Sequence, residues 1–267
     1  MREYNTATHY CIAIFINNLN IIFIGRRSLN VKLLVISAHI GDFVWRTSGV
    51  LAKYIKSGKP VQVVSLTFGE RGESPGAWRR GAKSVEEVKK IRKEEAECAS
   101  KALGGVPLEV LDWGDHPLII NDERLLKLAE VIRKYRPEII VTHGPDDKIR
   151  PDHVVTADAV LAAVRLAASD GVPIDIPTIA EPKIFGFDPH VGEQAGFYPH
   201  IYINITDVYD SKVKAMNCLE SQKGEVDYYS TRDALRGLQT RRFGWKNYYK
   251  YAEAFYMYYP IIGEDFP

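Results

Sequence analysis

The sequence predicts an α/β fold: a mainly parallel sheet flanked by helices, with a C-terminal elaboration. Strand and helix patterns alternate from residue 31 to about residue 169. The strand candidates are near-continuous apolar runs such as residues 31–38 (VKLLVISA), as expected of strands covered on both faces. The segments between them are long enough to be crossover helices, so successive strands run parallel.

The first strand leads directly into a helix over Asp42–Ser57, which Gly58 stops. Residues 61–68 (VQVVSLTF) form the second strand, followed by the glycine-rich loop Gly69-Glu70-Arg71-Gly72-Glu73-Ser74. Ser84 caps a long helix with a Lys/Glu-rich solvated face, Glu87 completes a capping box, and Gly104-Gly105 ends it. Leu108–Leu111 is the third strand, Asp122–Tyr135 a helix, Glu138–Thr142 the fourth strand and His153–Ser169 another helix. After Pro173 the pattern changes. Lys183–Phe187 and His200–Ile205 read as strands and Asp207–Gln222 as a helix. The Tyr- and Arg-rich stretch Tyr228–Tyr259 reads as helices that cover the sheet or build a subunit contact.

Residues 31–267 form one domain, and residues 1–30 a separate extension, either an extra strand or hairpin or a non-native start. Asn17, Asn18 and Asn20 interrupt the apolar runs of that extension, which is too broken to span a membrane and lacks a secretory pattern. The chain has 267 residues, 46% hydrophobic and 26% charged, which suits one globular domain with a large core. A net charge of +1 gives no global field that would select nucleic acid or membranes. The 3 cysteines, Cys11, Cys98 and Cys218, share no short spacing, so the sequence implies neither a disulfide framework nor a thiolate site. A reducing cytoplasm is the compartment expected.

The chemistry concentrates at two strand-to-helix junctions. His39-Ile40-Gly41-Asp42 lies at the end of the first strand, where open α/β sheets place their ligands. Arg150-Pro151-Asp152-His153 opens a later helix. His39, Asp42 and His153 together could hold one metal and leave a position open, and nitrogen and oxygen donors without thiolates suit zinc, with manganese, iron or cobalt tolerated. Against this stands the reading of each histidine as a satisfied structural residue.

These junctions resemble the LmbE-like or PIG-L-like family, Rossmann-like zinc enzymes that are mostly N-deacetylases of amino sugars. The resemblance implies zinc on His39, Asp42 and His153, with Asp152 behind the ligands. It also implies two departures. The general base of the deacetylases falls on Gly41, which cannot take a proton, and the histidine serving the oxyanion falls on Arg150.

The runs Ser37–Arg46, Gly69–Ser74 and Leu111–Leu118 are similar to the 4-oxalomesaconate (4-carboxy-2-hydroxymuconate) hydratases, a branch of the same family in aromatic-acid degradation. That branch also has a small residue where the deacetylases have the base. The resemblance implies a zinc-dependent hydratase of a small unsaturated oxo-polycarboxylate, with a zinc N-deacetylase of an acetylated amino sugar as the alternative. A binding module that keeps the metal for structure is a third possibility.

Hydration needs a base and an acid, sought at Glu70, Glu73, His143 and His190. For Glu70 and Glu73 the competing role is capping a turn or pairing with Arg71. A poly-acid substrate also needs cations, sought at Arg46, Arg71 and Arg150. Trp45 and Trp78 read as packing, and Arg79-Arg80 and Arg241-Arg242 as surface charge. The partner expected is a small anionic carboxylate, and the Tyr-rich C-terminal stretch makes a homo-oligomer the expected assembly.

Overall fold

The structure is a computed structural model that describes residues 29–243 and 249–262. The expected N-terminal strand or hairpin lies outside them, except for Leu29 and Asn30. Seven strands form one sheet: β1 (Leu33–His39), β2 (Val61–Thr67), β3 (Leu108–Val110), β4 (Ile139–Thr142), β5 (Lys183–Phe187), β6 (Ile201–Asn204) and β7 (Ala252–Met257). Their order is β3-β2-β1-β4-β5-β7-β6. The first five strands are parallel, and β7 pairs antiparallel with both β5 and β6.

The helices are α1 (Asp42–Lys56), the short α2 (Pro75–Arg79), α3 (Val85–Ala102), α4 (Asp122–Tyr135), α5 (Pro151–Ala168), α6 (Tyr209–Asn217) and α7 (Val226–Gln239). The pleat of β1 sorts its side chains between two cores. Leu33 and Val35 pack with α1, α3 and α6 through residues such as Phe43, Ala99 and Met216. Leu34 and Ile36 pack with α4 and α5 through Leu128, Ile132 and Val160. This double covering explains why β1 and β2 are buried at every position.

Strand order reverses between β1 and β4, so the carboxyl ends of these neighbours flank the crevice where such sheets bind ligands. The start of α3 shows the expected local chemistry. Ser84 Oγ accepts from Glu87 N at 3.1 Å, and the Glu87 carboxylate reaches back to Lys83 N at 2.7 Å.

Three expectations need correction. The stretch Tyr228–Tyr259 is not all helical: after α7 it returns as strand β7 inside the sheet. Glu253 disguises that strand. Its carboxylate is buried on Lys212 Nζ at 2.8 Å and also accepts from the backbone of Gly49 and Val50. The helix expected over Asp207–Gln222 is only α6, followed by a 3₁₀ turn at Glu220–Glu225. Ser221 N and Oγ both bond Glu95 Oε1 at 2.7 Å, a tertiary partner that replaces the helical ladder. Third, Cys98 and Cys218 are joined in a disulfide between α3 and the end of α6, 120 residues apart. The pairing follows from helix packing, which leaves no spacing signal in the sequence.

Candidate metal centre and substrate cleft

His39 is the last residue of β1, Asp42 opens α1, and His153 lies in the first turn of α5 behind Pro151. His39 N donates to Asp42 Oδ2 at 2.9 Å, which fixes the turn and the carboxylate together. One donor atom from each of His39, Asp42 and His153 lies within 4.8 Å of the others, and all three residues are buried. His39 Nδ1 and His153 Nε2 face each other at 3.3 Å.

The outer partners fix both tautomers. His39 Nε2 meets Asp152 Oδ2 at 3.2 Å, and His153 Nδ1 meets Asp147 Oδ2 at 2.7 Å. A carboxylate only accepts, so those ring nitrogens carry the protons. The two inner nitrogens are then bare in the neutral rings and converge beside the Asp42 carboxylate, an arrangement that calls for one cation between them. The surrounding carboxylates favour a positive charge in this space: without a metal they hold a second proton on His39, which a metal would displace. Burial opposes a charge on His39, but Asp152 and Asp42 outweigh it and hold its pKa up at about 10. Burial, then neighbouring His143, push His153 down. Burial opposes the charge of Asp147, yet His153 and Arg46 hold its carboxyl down at about 2. The residues present therefore fit a divalent metal ion.

His143, just past β4, is fully buried behind this centre. Its Nε2 accepts from Ala38 N at 3.0 Å, and its ring stacks on His153 at 4.0 Å between centroids. Asp152 also accepts from His116 N and Leu118 N, so it is held by the loop after β3 as well as by His39.

A narrow cleft opens beside the centre. Asp42, Glu73 and Glu225 bring acids to it, Arg46 and Arg150 bring cations, and Trp45, His190, Gln222 and Tyr229 complete its wall. A wider surface groove around Trp113, Ile119 and Arg124 lies apart from these ligands, and we assign the chemistry to the narrow cleft. Arg46 is buried, with Nη1 on Asp188 O at 3.1 Å and side-chain nitrogens 3.5 Å from Asp42 and 3.6 Å from Asp147. Its Nε has no hydrogen-bond partner. Arg150 is 42% exposed and pairs through Nη1 with Glu73 Oε1 at 3.2 Å. Tyr229 OH lies 3.3 Å from His190 Nδ1, and Glu225 Oε2 lies 3.7 Å from the same nitrogen. Burial, then Arg46, Arg150 and Arg232, lower His190 to about 4.

The structure does not bring every expected residue to the cleft. Glu70 is fully buried beside Gly114 rather than in the cleft wall; its carboxyl oxygens lack hydrogen bonds, Oε1 lies 4.0 Å from Arg71 Nη1 as the alternative role expected, and burial raises its pKa. Arg71 points to Asp115, with Nη1 on the Asp115 carbonyl at 2.9 Å. Trp78 donates to Glu70 O at 2.8 Å. The sequence reading missed Asp147, Gln222, Glu225 and Tyr229. Asp147 follows β4 and precedes His153 by six positions, so the strand-end rule could have found it. Gln222 and Tyr229 lie in the C-terminal elaboration and carry no such signal.

Comparisons with known proteins match this architecture. The family profile for PIG-L, GlcNAc-PI de-N-acetylase, matches residues 34–164. The 4-oxalmesaconate hydratase of Pseudomonas putida (strain KT2440) is 35% identical over 221 residues, 82% of this chain and 85% of that one. The crystal structure of GalB, the 4-carboxy-2-hydroxymuconate hydratase from Pseudomonas putida KT2440, superposes with a TM-score of 0.83 at 34% identity, over 89% of this chain and 100% of that chain. The diacetylchitobiose deacetylase of Thermococcus kodakarensis is more distant, 30% identical over 198 residues, 72% of this chain and 70% of that one. The chain is an enzyme of the PIG-L family, nearer to that hydratase than to that deacetylase.

Proposed function

We propose that this enzyme is a zinc-dependent hydratase that adds water to a small unsaturated oxo-polycarboxylate such as 4-oxalomesaconate, in the degradation of aromatic acids. One observation carries the choice between hydration and amide hydrolysis. The space a side chain at Gly41 would need is already filled: a Cβ there would stand 2.4 Å from Arg92 Nη2 and 2.7 Å from Gln222 Oε1. A base at position 41 would have to displace Arg92 and Gln222 from their mutual hydrogen bond, while two further carboxylates, Glu73 and Glu225, and two guanidinium groups line the cleft.

A zinc ion held by His39, Asp42 and His153 would supply a positive centre that polarises the oxo group and stabilises enolate character. The other roles belong to side chains. Arg46 is fixed by Asp188, and its Nε, which makes no hydrogen bond and lies 3.5 Å from Asp42, presents charge from a buried position, suited to a substrate carboxylate. Arg150 is more exposed and can move from Glu73 to a second carboxylate, which frees Glu73 Oε1 to take a proton from water. His190 is neutral near pH 7 and faces the hydroxyl of Tyr229, whose proton burial retains. Tyr229 would deliver its proton to carbon, with His190 hydrogen-bonded to its oxygen. His143 supports the ligands from behind, and Glu70 and Arg71 shape the loop beside Asp115.

Zinc-loaded protein mixed with 4-oxalomesaconate should bleach its conjugated ultraviolet absorbance. A chelator should abolish the change and added zinc restore it. No turnover of any unsaturated oxo-polycarboxylate at saturating zinc sinks this reading, and acetate release from N-acetylglucosaminyl substrates would put deacetylation in its place. A cytoplasmic site of action goes with this substrate, because a polyanion does not cross a membrane unaided, although the Cys98–Cys218 disulfide removes the cysteine argument for a reducing compartment. No helix among the described residues is long and apolar enough to cross one. Self-association also belongs to the proposal. Leu238 and Phe243 are 53% and 58% exposed near the end of α7, and light scattering would report a dimer or larger assembly.

A further inference from the structure

We infer that Gln222, held by Arg92, is a positioning residue that replaces the missing side chain at position 41 and aims Glu73 at the substrate. Arg92 comes from α3 and is fully buried, with Nη1 on Glu95 Oε2 at 2.7 Å. Its Nη2 donates to Gln222 Oε1 at 2.8 Å. Trp45 Nε1 donates to the same oxygen at 3.1 Å. Two donors on that oxygen fix the orientation of the amide. The amide nitrogen then has one direction left, and it donates to Glu73 Oε2 at 3.1 Å.

Glu73 is thus gripped on one side by a neutral donor on a rigid frame and on the other by the more exposed Arg150. A neutral amide fixes the carboxylate without adding a charge that competes with the substrate. The frame is anchored beyond the cleft. Ser221 bonds Glu95, and Cys218 is tied to Cys98 on the helix that carries Arg92. Filling the space over Gly41 and aiming Glu73 are therefore one device: the pair that leaves no room for a side chain at position 41 sets up the carboxylate at position 73. The inference rests on Glu73 as the proton-handling carboxylate.

The test uses zinc-loaded enzyme with 4-oxalomesaconate, rates being normalised to bound zinc. Glu73→Gln examines the underlying reading. Gln222→Glu keeps an acceptor for Arg92 and Trp45 but sets a second carboxylate against Glu73 in place of the amide donor. Misplacing a catalytic group costs rate rather than binding, so Gln222→Glu should lower kcat by about 10–100-fold and change KM by less than about threefold. Zinc content should not change. If Gln222→Glu fails to unfold cooperatively, Gln222→Met, which removes the donor without adding charge, carries the same thresholds. A folded, zinc-loaded variant at position 222 with kcat within about twofold of wild type, beside an inactive Glu73→Gln, overturns the positioning role alone. An active Glu73→Gln overturns the role of Glu73 and the inference with it.

Discussion

Oδ2 of Asp147 lies 2.7 Å from Nδ1 of His153, while the other nitrogen of that ring faces His39 at 3.3 Å. Asp147 therefore decides which nitrogen of His153 is bare. Asp147→Asn keeps the shape but no longer demands the Nδ1–H tautomer. Zinc affinity should fall about 10–100-fold, as for other partners of metal-bound imidazoles. Competition with a chromogenic chelator measures it. Unchanged affinity would mean that His153 does not ligate through the nitrogen facing His39.

Gly41→Ala is the smallest probe of the crowded space over the turn. The backbone at Gly41 has φ of −84°, which any residue adopts, so the cost comes from contact and not from strain. The atoms it meets are side-chain ends, but each is tied: Arg92 to Glu95, and Gln222 to Trp45 and Glu73. Forcing them apart should cost about 1–3 kcal/mol. Urea unfolding should show that loss together with a lower kcat. Gly41→Asp should release no acetate from N-acetylated sugars, and acetate release would show that the space can be cleared.

The legible parts of this protein are those where local chemistry and position coincide. His39, Asp42 and His153 sit at strand-to-helix junctions, and such junctions show in a sequence as an apolar run meeting a helix start. That is why the element order up to α5 and the converging triad were readable. Lys183–Phe187 was readable for the same reason, as an apolar run. The elaboration was readable only in part: the strand at Ile201–Asn204 and the helix from Tyr209 were, the rest was not. Strand β7 carries Glu253, whose burial depends on Lys212 from α6. Gln222 enters the cleft because Glu95 captures Ser221. The Cys98–Cys218 pairing depends on two helices meeting side by side. Each is a contact between distant segments that leaves no period or spacing behind. Glu70 errs the other way. Its loop belongs to the site region, but neighbours turn its carboxyl away, and only packing decides that.

The disulfide tests how far that packing supports catalysis. Cys98 and Cys218 are separated by 120 residues, so their bond closes a long loop of the unfolded chain. In the chain-entropy picture such a bond stabilises by about 2–4 kcal/mol. A Cys98→Ser, Cys218→Ser double variant should unfold at lower urea by that amount, and wild type with excess dithiothreitol should match it. Because Gln222 lies four residues beyond Cys218, kcat should fall by about 2–5-fold with zinc content unchanged, as expected when a positioned group gains freedom. Identical stability with and without reductant would show that the bond does not form in solution.

His190 gives the fold a pH dependence of known sign. Its ordinary pKa is 6.5, and burial followed by Arg46, Arg150 and Arg232 lowers it to about 4 in the folded protein, with Asp147 as the opposing acid and Glu225 3.7 Å away. Between those values the unfolded chain takes up a proton that folded His190 refuses. Its contribution to stability is therefore complete above pH 6.5 and is lost as the pH falls toward 4. The side chain is 25% exposed, and from pH 7 to pH 5 the loss should be about 1–2 kcal/mol. Buried His143, also lowered, acts in the same direction, so wild type loses more than this one share. The carboxyls of Asp147 and Asp152, both lowered, act only below about pH 4. His190→Gln should thus flatten the decline without removing it, as read from urea midpoints of zinc-loaded protein at pH 7, 6 and 5. Parallel curves for variant and wild type would show that His190 titrates as it does in water, and that the arginines around the cleft do not reach it.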